Sequence, residues 1–327
     1  MSALPLLAMR ILGRPQMLLP EKFAVILSLL EDRVGIDAGN LSALAGAMPA
    51  ISRPQIGDKR NPNFTVIGGI AVIQILGTMV NRGDVITNSS GVLSYERIKH
   101  QLFTALIDNA VTAIVLDADT SGGEAAGVME LSDYIRHVGA RKPIVTAVNG
   151  LCCSAGYAIA SSTNKIVATK SSMLGSIGCV AVHVDKSRKM AAEGLTPTLI
   201  YSGDRKVDGN AFEKLSDKAR EVLQVEVDKL MDMFVATVAA GRPKLSPDTI
   251  RAQQAAVYMG EDALAAGLID EIGSFEDAIR ELARLHPVAI EKTGQRPMFS
   301  VSQADVDRAR AEGVRAGAAA AIARGKA

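Results

Sequence analysis

The chain has little with which to stack bases, attract polyanions or crosslink itself. Of its 327 residues none is Trp and only 4% are aromatic, so a stacking platform for single-stranded nucleic acid is poorly supplied. Lys and Arg total 36 against 35 Asp and Glu, a net charge of +1. No whole-chain field then steers it to nucleic acid or to a membrane surface, and neither partner is expected. The three cysteines, Cys152, Cys153 and Cys179, make no disulfide framework and lack metal-ligand spacing. Adjacent Cys152 and Cys153 suit a tight interior as small apolar groups. No metal or other cofactor is expected, and a reducing, intracellular setting fits best.

Long hydrophobic runs are missing too. The longest apolar window, Phe64 to Val80, is interrupted by Gln74 and three glycines and is short for a membrane span, which takes about 20 residues. Two successive buried strands explain it better. Leu4 to Leu12 is broken by Pro5 and Arg10 and is followed by no small-residue cleavage site, so no signal peptide is expected. The reading is of a soluble, non-secreted protein, 48% hydrophobic and long enough for one large core or two smaller ones.

What is present is an alternation. Residues 1–60 read as an arm or possible pro-segment, with a short amphipathic helix over Pro20 to Leu30 and a small-residue linker over Ala43 to Ile56. Strands are expected at Thr65 to Ile67, Ile70 to Leu76, Ala113 to Leu116, Ile144 to Val148, Lys165 to Thr169, Ile177 to Val184 and Thr198 to Tyr201. Helical spacing marks Ser94 to Ala110, Glu124 to Val138, Ser154 to Ser162, Ser187 to Glu193, Ser216 to Ala240, Glu261 to Ala266 and Phe275 to Leu285. Short apolar strands alternating with helices imply an α/β domain with a mainly parallel sheet over residues 61–286. Residues 287–327 read as a linker and an Ala/Arg-rich helical tail (Ser302 to Ala327).

Two strand-to-helix junctions could carry chemistry. Ser121-Gly122-Gly123 follows one strand, and glycines there let backbone N–H groups approach a ligand; an ordinary tight turn explains them as well. Neither G-x-G-x-x-G nor G-x-x-x-x-G-K-[ST] occurs, so a nucleotide site is poorly supported. The second junction holds Ser154, near the free N–H groups and positive end of a helix, where a nucleophile's developing oxyanion could be stabilised. A buried serine filling a turn is the plainer reading. A nucleophile needs a base, and His100, His137, His183 and His286 all lack a distinctive context. G-x-S-x-G is absent, because Cys152 stands where its first Gly should be. Lys206, in the loop Tyr201 to Gly209, is the other candidate. A lysine serves only when neutral, which means lowering its pKa by about three units, roughly 4 kcal/mol of desolvation. A solvated lysine in a polar loop is the alternative.

Four ordered blocks carry a resemblance: D-A-D-T-S-G-G-E-A-A-G (117–127), V-N-G-L-C-C-S-A-G-Y-A-I-A-S (148–161), G-S-I-G (175–178) and S-G-D-R-K-V-D-G-N-A-F-E-K-L-S (202–216). Over roughly Phe64 to Leu285 the chain resembles the signal-peptide-peptidase-A family of Ser/Lys peptidases, within the Clp/crotonase superfamily. It is more similar to the bacteriophage branch, the capsid-assembly (prohead) proteases. The resemblance implies repeated ββα units and a serine endopeptidase. It implies Ser154 as nucleophile, Lys206 as general base and Ser176 as a hydroxyl that aims the lysine. The backbone N–H groups of Gly123 and Ala155, with Gly122, would form the oxyanion hole. Where cellular relatives read Ser-Gly-Gly, this chain reads Ser154-Ala155-Gly156, which keeps the backbone donor. Implied substrates are scaffold and capsid proteins, and the chain itself, within an assembling phage head in the host cytoplasm. A homo-oligomer is implied as well. The competing readings are a cellular soluble relative, a crotonase-like acyl-CoA enzyme using the same two-N–H hole, and a non-catalytic assembly protein.

Overall fold

Period-two alternation along the apolar runs sets the layers. In the computed structural model, which describes residues 15–19, 64–83 and 92–287, Ile70 and Val72 join one buried cluster while Ala71, Ile73 and Ile75 join another. Successive side chains of a pleated strand turn to opposite faces, so the two clusters lie on the two faces of a sheet. That strand is β3 (Ile70–Val80). Around it are β1 (Gln16–Leu18), β2 (Thr65–Ile67), β4 (Val92–Ser94), β5 (Ala113–Glu124), β6 (Ile144–Cys153), β7 (Lys165–Ala168), β8 (Met173–Gly175), β9 (Val257–Met259) and β10 (Glu271–Ile272). The main path runs β2-β3-β5-β6-β7-β10. It is parallel from β3 onward, with β2 antiparallel at one edge. Strand β8 extends the sheet along the end of β6, and β1 lies antiparallel on the end of β5.

The helices are α1 (Tyr95–Ile107), α2 (Val128–Gly139), α3 (Ala155–Ser161), α4 (Ser187–Ala192), α5 (Asp217–Gly241), α6 (Pro247–Ala252), α7 (Gly260–Ala265) and α8 (Phe275–Leu285). Helices α1, α2, α3 and α5 send Leu102, Ile135, Tyr157 and Phe234 into the larger cluster. On the other face α8 buries Ala278, Ile279 and Leu282 against Val115, Val145 and Val167. Its start is fixed by a capping box in which Ser274 and Asp277 satisfy each other's backbone N–H, the exchange that quiets unpaired donors at a helix N-terminus. The architecture is the expected mixed α/β one with a mostly parallel sheet. No helix among the described residues is long and apolar enough to cross a membrane.

The expected strands over Ile177 to Val184 and Thr198 to Tyr201 do not form. The first is irregular chain with one bridge, at Val180, and the second is irregular throughout. Their β-branched residues meet no sheet edge along most of their length: none of residues 178–218 is buried, and Ile200 is 96% exposed. Strand propensity without a partner strand makes no strand. The helix expected from Glu124 begins at Val128 instead, because β5 continues through the glycine pair to Glu124. The expected helix over Pro20 to Leu30, the linker over Ala43 to Ile56 and the tail from Ser302 lie outside the described residues. Within the expected arm, Gln16–Leu18 joins the sheet, a strand the sequence did not announce.

Candidate active site

Strand β6 delivers its last residue, Cys153, into the core, and the chain must then turn sharply into α3. Ser154 makes that turn with φ 55° and ψ −120°, a region L-residues avoid and that costs about 1–3 kcal/mol when the surroundings enforce it. The surroundings do enforce it. Ser154 N–H donates to Gly175 O at 2.8 Å, and Ala158 N–H donates to Ser154 O at 3.0 Å. Gly156 sits where a Cβ would collide with the Thr120 methyl, so the helix start is pressed against β5. The Ser154 hydroxyl is buried, at 1% exposure, and its one hydrogen-bond acceptor among the described residues is Gly178 O at 3.5 Å. A contact that long is weak and leaves the oxygen available for other chemistry.

The glycine pair ends β5 beside the serine. Gly122 has φ +113°, and a Cβ placed on it would lie 3.0 Å from Ser154 Cβ and collide with the Met17 carbonyl. Only glycine fits both demands. Gly122 N–H donates to Thr120 Oγ1 at 3.1 Å, so it is already engaged. Ala155 stands in the first turn of α3, whose N–H groups have no intrahelical acceptor. Ala155 is therefore a backbone donor of the expected set without an intrahelical acceptor, while Gly123 lies opposite Met17 in the β1–β5 pair.

Ser176 has the same left-handed character, with φ 52°, and is buried. Its N–H donates to Ala256 O at 2.8 Å, and it directly follows Gly175, the acceptor for Ser154 N–H. Gly122, Gly123, Ser154, Ala155 and Ser176 thus gather at the C-terminal ends of β5, β6 and β8, where open parallel sheets present their functional groups. Lys206 makes no hydrogen bond to any of them. It is exposed in the turn between Gly203 and Gly209, its own N–H donates to Gly203 O at 2.9 Å, and its ammonium has no hydrogen bond or ion pair among the described residues.

Other titratable groups supply no substitute. His183 Nε2 is engaged with Asn210 O at 2.8 Å, and His286 closes α8. Burial pushes the Cys152 thiol well above its ordinary value and that of Cys179 up to about 12, so neither offers a thiolate nucleophile. Among the described residues no group of three or more His, Cys, Asp or Glu could hold a metal ion. Two contributors escaped the sequence reading: Ala256, whose carbonyl pins Ser176, and Met17, which covers the glycine pair. The only signal for the latter was a three-residue apolar run between Pro15 and Pro20.

Peptidase family S49 matches residues 136–289, a span that includes the nucleophile turn, the G-S-I-G block and the Lys206 loop. Residues 136–289 thus carry the pattern of this family. Similar proteins include the capsid assembly protease C of Escherichia phage lambda, 36% identical over 284 residues, which are 84% of this chain and 64% of that protein. The head-tail preconnector protein GP5 of Enterobacteria phage P21 is 35% identical over 264 residues, 80% of this chain and 51% of that one. Protease 4 of Haemophilus influenzae is 27% identical over 234 residues, 69% of this chain and 36% of that one. The chain therefore spans between half and two thirds of the length of the two phage relatives. The S49 match covers the strained Ser154 turn.

Proposed function

We propose that the protein is a serine endopeptidase of the phage capsid-assembly branch, with a Clp/crotonase-like fold and Ser154 and Lys206 as its dyad. The observation that carries this reading is the enforced φ of Ser154 beside Gly122, since strain of that kind persists where it positions a reacting atom. Neutral Lys206 takes the hydroxyl proton as Oγ attacks the peptide carbonyl. Negative charge develops on the carbonyl oxygen and is met by the Gly123 and Ala155 N–H groups. Protonated Lys206 then gives its proton to the leaving amine, and water releases the acyl group from Ser154. Ser176, next to the acceptor of Ser154 N–H, is placed to receive a hydrogen bond from the lysine and aim it.

Within one chain Lys206 is exposed and makes no hydrogen bond to the buried Ser154, whose hydroxyl donates to Gly178 O. The stretch that carries Lys206 also exposes Leu195, Ile200, Tyr201 and Phe212, an apolar set that favours packing on another surface. Our reading is that this stretch docks on a second copy and delivers Lys206 to that copy's serine, so the working peptidase is a homo-oligomer. The names of the phage relatives support capsid-assembly proteins as substrates, within an assembling head inside the host cell.

Mixing decides the matter. Ser154→Ala and Lys206→Ala chains, each inactive on a quenched-fluorescent unfolded protein, should regain activity when combined, since one supplies the serine and the other the lysine. Two single variants that stay inactive together would reject delivery between copies. Undiminished activity in Ser154→Ala alone would reject the dyad.

A further inference from the structure

Strand β1 reaches the sheet from a distant part of the sequence and lands beside the nucleophile. Gln16 lies opposite Glu124, Met17 opposite Gly123 and Leu18 opposite Gly122, antiparallel. On the strand's other edge Gln16 N–H donates to Val180 O at 2.7 Å and Val180 N–H donates to Gln16 O at 2.9 Å. An extended strand aims the N–H and C=O of successive residues to alternate sides. Gln16 therefore faces Val180, and Met17 faces Gly123. Leu19 N–H to Ser121 O, 3.0 Å, keeps the same parity. The Met17 carbonyl is the oxygen that a Cβ on Gly122 would strike, and Ser154 Cβ is 3.0 Å from that same point.

An extended segment thus runs between two backbone edges past the serine, with a peptide carbonyl turned to the Gly123 N–H. That is the posture an endopeptidase needs of its substrate: main-chain pairing on both sides for affinity, and a carbonyl at an oxyanion donor. We infer that residues 15–19 are a resident occupant of the protein's own peptide track, a tethered strand that holds substrate out while seated between Gly122–Glu124 and Val180. The track accordingly takes an extended peptide with apolar residues in the positions of Met17, Leu18 and Leu19, which are 0%, 4% and 5% exposed. Pro15 and Pro20 bracket the segment and donate no backbone hydrogen bond, which limits its grip to a few residues and leaves it displaceable. The seating does not depend on Ser154 being a nucleophile, but its regulatory meaning rests on the peptidase reading.

The test separates the two. In the full chain carrying Ser154→Ala, the native strand is compared with Gln16→Pro, which deletes the N–H bonded to Val180, and with Met17→Asp, which places a carboxylate at a fully buried position. The probe is a fluorescent synthetic peptide with the sequence of residues 13–20, and its binding is followed by anisotropy. Both variants should bind it at least tenfold more tightly than the native-strand chain, and a peptide with Pro in the place of Met17 should not bind. Equal binding by all three chains would overturn the inference. So would loss of the native circular dichroism in Gln16→Pro, because the strand would then be a permanent part of the fold. Labelling by a fluorophosphonate, measured with Ser154 in place, reports on the peptidase reading alone. Tight peptide binding without labelling rejects that reading and leaves the occupant. Labelling at one rate in native and variant chains, with equal peptide binding, does the reverse.

Discussion

Ser154 and Lys206 stand in opposite physical settings. The serine is enclosed by β5, β6, β8 and α3, its backbone pinned from both sides and its hydroxyl buried. The lysine belongs to residues 178–216, where no residue is buried and the only helix or strand is the six-residue α4. One region has its geometry dictated by packing within the chain; the other carries apolar groups that find no packing within it. On the proposed dyad, half of the site is folded within the chain and the other half would be assembled from a second copy. The two halves should respond to mutation in different currencies, stability for the first and activity for the second.

The largest expected effect is on activity. Ser154→Ala and Lys206→Ala should each lower peptide hydrolysis by roughly a thousandfold or more, about 4 kcal/mol of transition-state stabilisation. The comparison is sharpened by stability: Lys206→Ala should leave the unfolding free energy from urea titration within about 0.5 kcal/mol of the parent, as exposed positions do. A Lys206 variant that unfolds would show that the exposed stretch is part of the folded core after all.

Next comes the folded half alone. Phe234, fully buried from α5, should cost about 3–5 kcal/mol on truncation to Ala, read from urea unfolding. Ile200→Ala on the exposed stretch should cost the monomer nothing measurable in the same assay, while weakening the oligomer seen by light scattering.

Smaller, and opposite in sign, is the effect of relieving the nucleophile's backbone. Ser154→Gly should raise stability by about 1 kcal/mol, because glycine adopts φ 55° without a Cβ penalty, while abolishing hydrolysis. Ser154→Ala should show no such gain, since Ala keeps the Cβ. A Ser154→Gly chain no more stable than Ser154→Ala would mean the turn is unstrained.

Most of the folded half was legible in the sequence, and most of the assembled half was not. Helix α8 has the bounds its apolar spacing suggested, since Ser274 begins it and every apolar residue on one stripe finds the sheet. Strand β6 runs five residues beyond Val148 because Leu151, Cys152 and Cys153 pair with β8, and Cys152 with β5, carrying Asn149 and Gly150 along. The expected strand at Thr198 to Tyr201 failed because β propensity names a candidate and a neighbouring edge makes it a strand. Gln16–Leu18 succeeded with only three residues because two edges were waiting for it. The order of the motifs announced Ser154, Ser176, Gly122, Gly123 and Ala155 as one group through their family resemblance. The resemblance also named Lys206, but no local pattern announced that its stretch would be exposed, without a buried residue from 178 to 218.

The smallest expected effect concerns two aspartates that resemble each other locally and differ in which half they serve. Asp277 accepts from Ser274 N–H and from Ser274 Oγ, both at 2.9 Å, and these bonds hold its carboxyl below the ordinary value of 3.8. Asp185 is likewise held low, by the Ser187 hydroxyl and backbone N–H, but is fully exposed on the unburied stretch. A carboxylate whose folded pKa is lowered contributes stability that is complete above its unfolded pKa and is lost as pH falls through the lowered folded value. Asp277→Asn should therefore flatten the acid limb of global thermal stability below the ordinary aspartate value. The effect should be modest, because the side chain is 46% exposed and solvent screens its interactions. Asp185→Asn should leave that limb unchanged, because its bonds cap only α4 and no buried residue depends on them. Equal flattening by both variants would mean that the stretch carrying Lys206 unfolds with the core, and the division between a folded and an assembled half would fall.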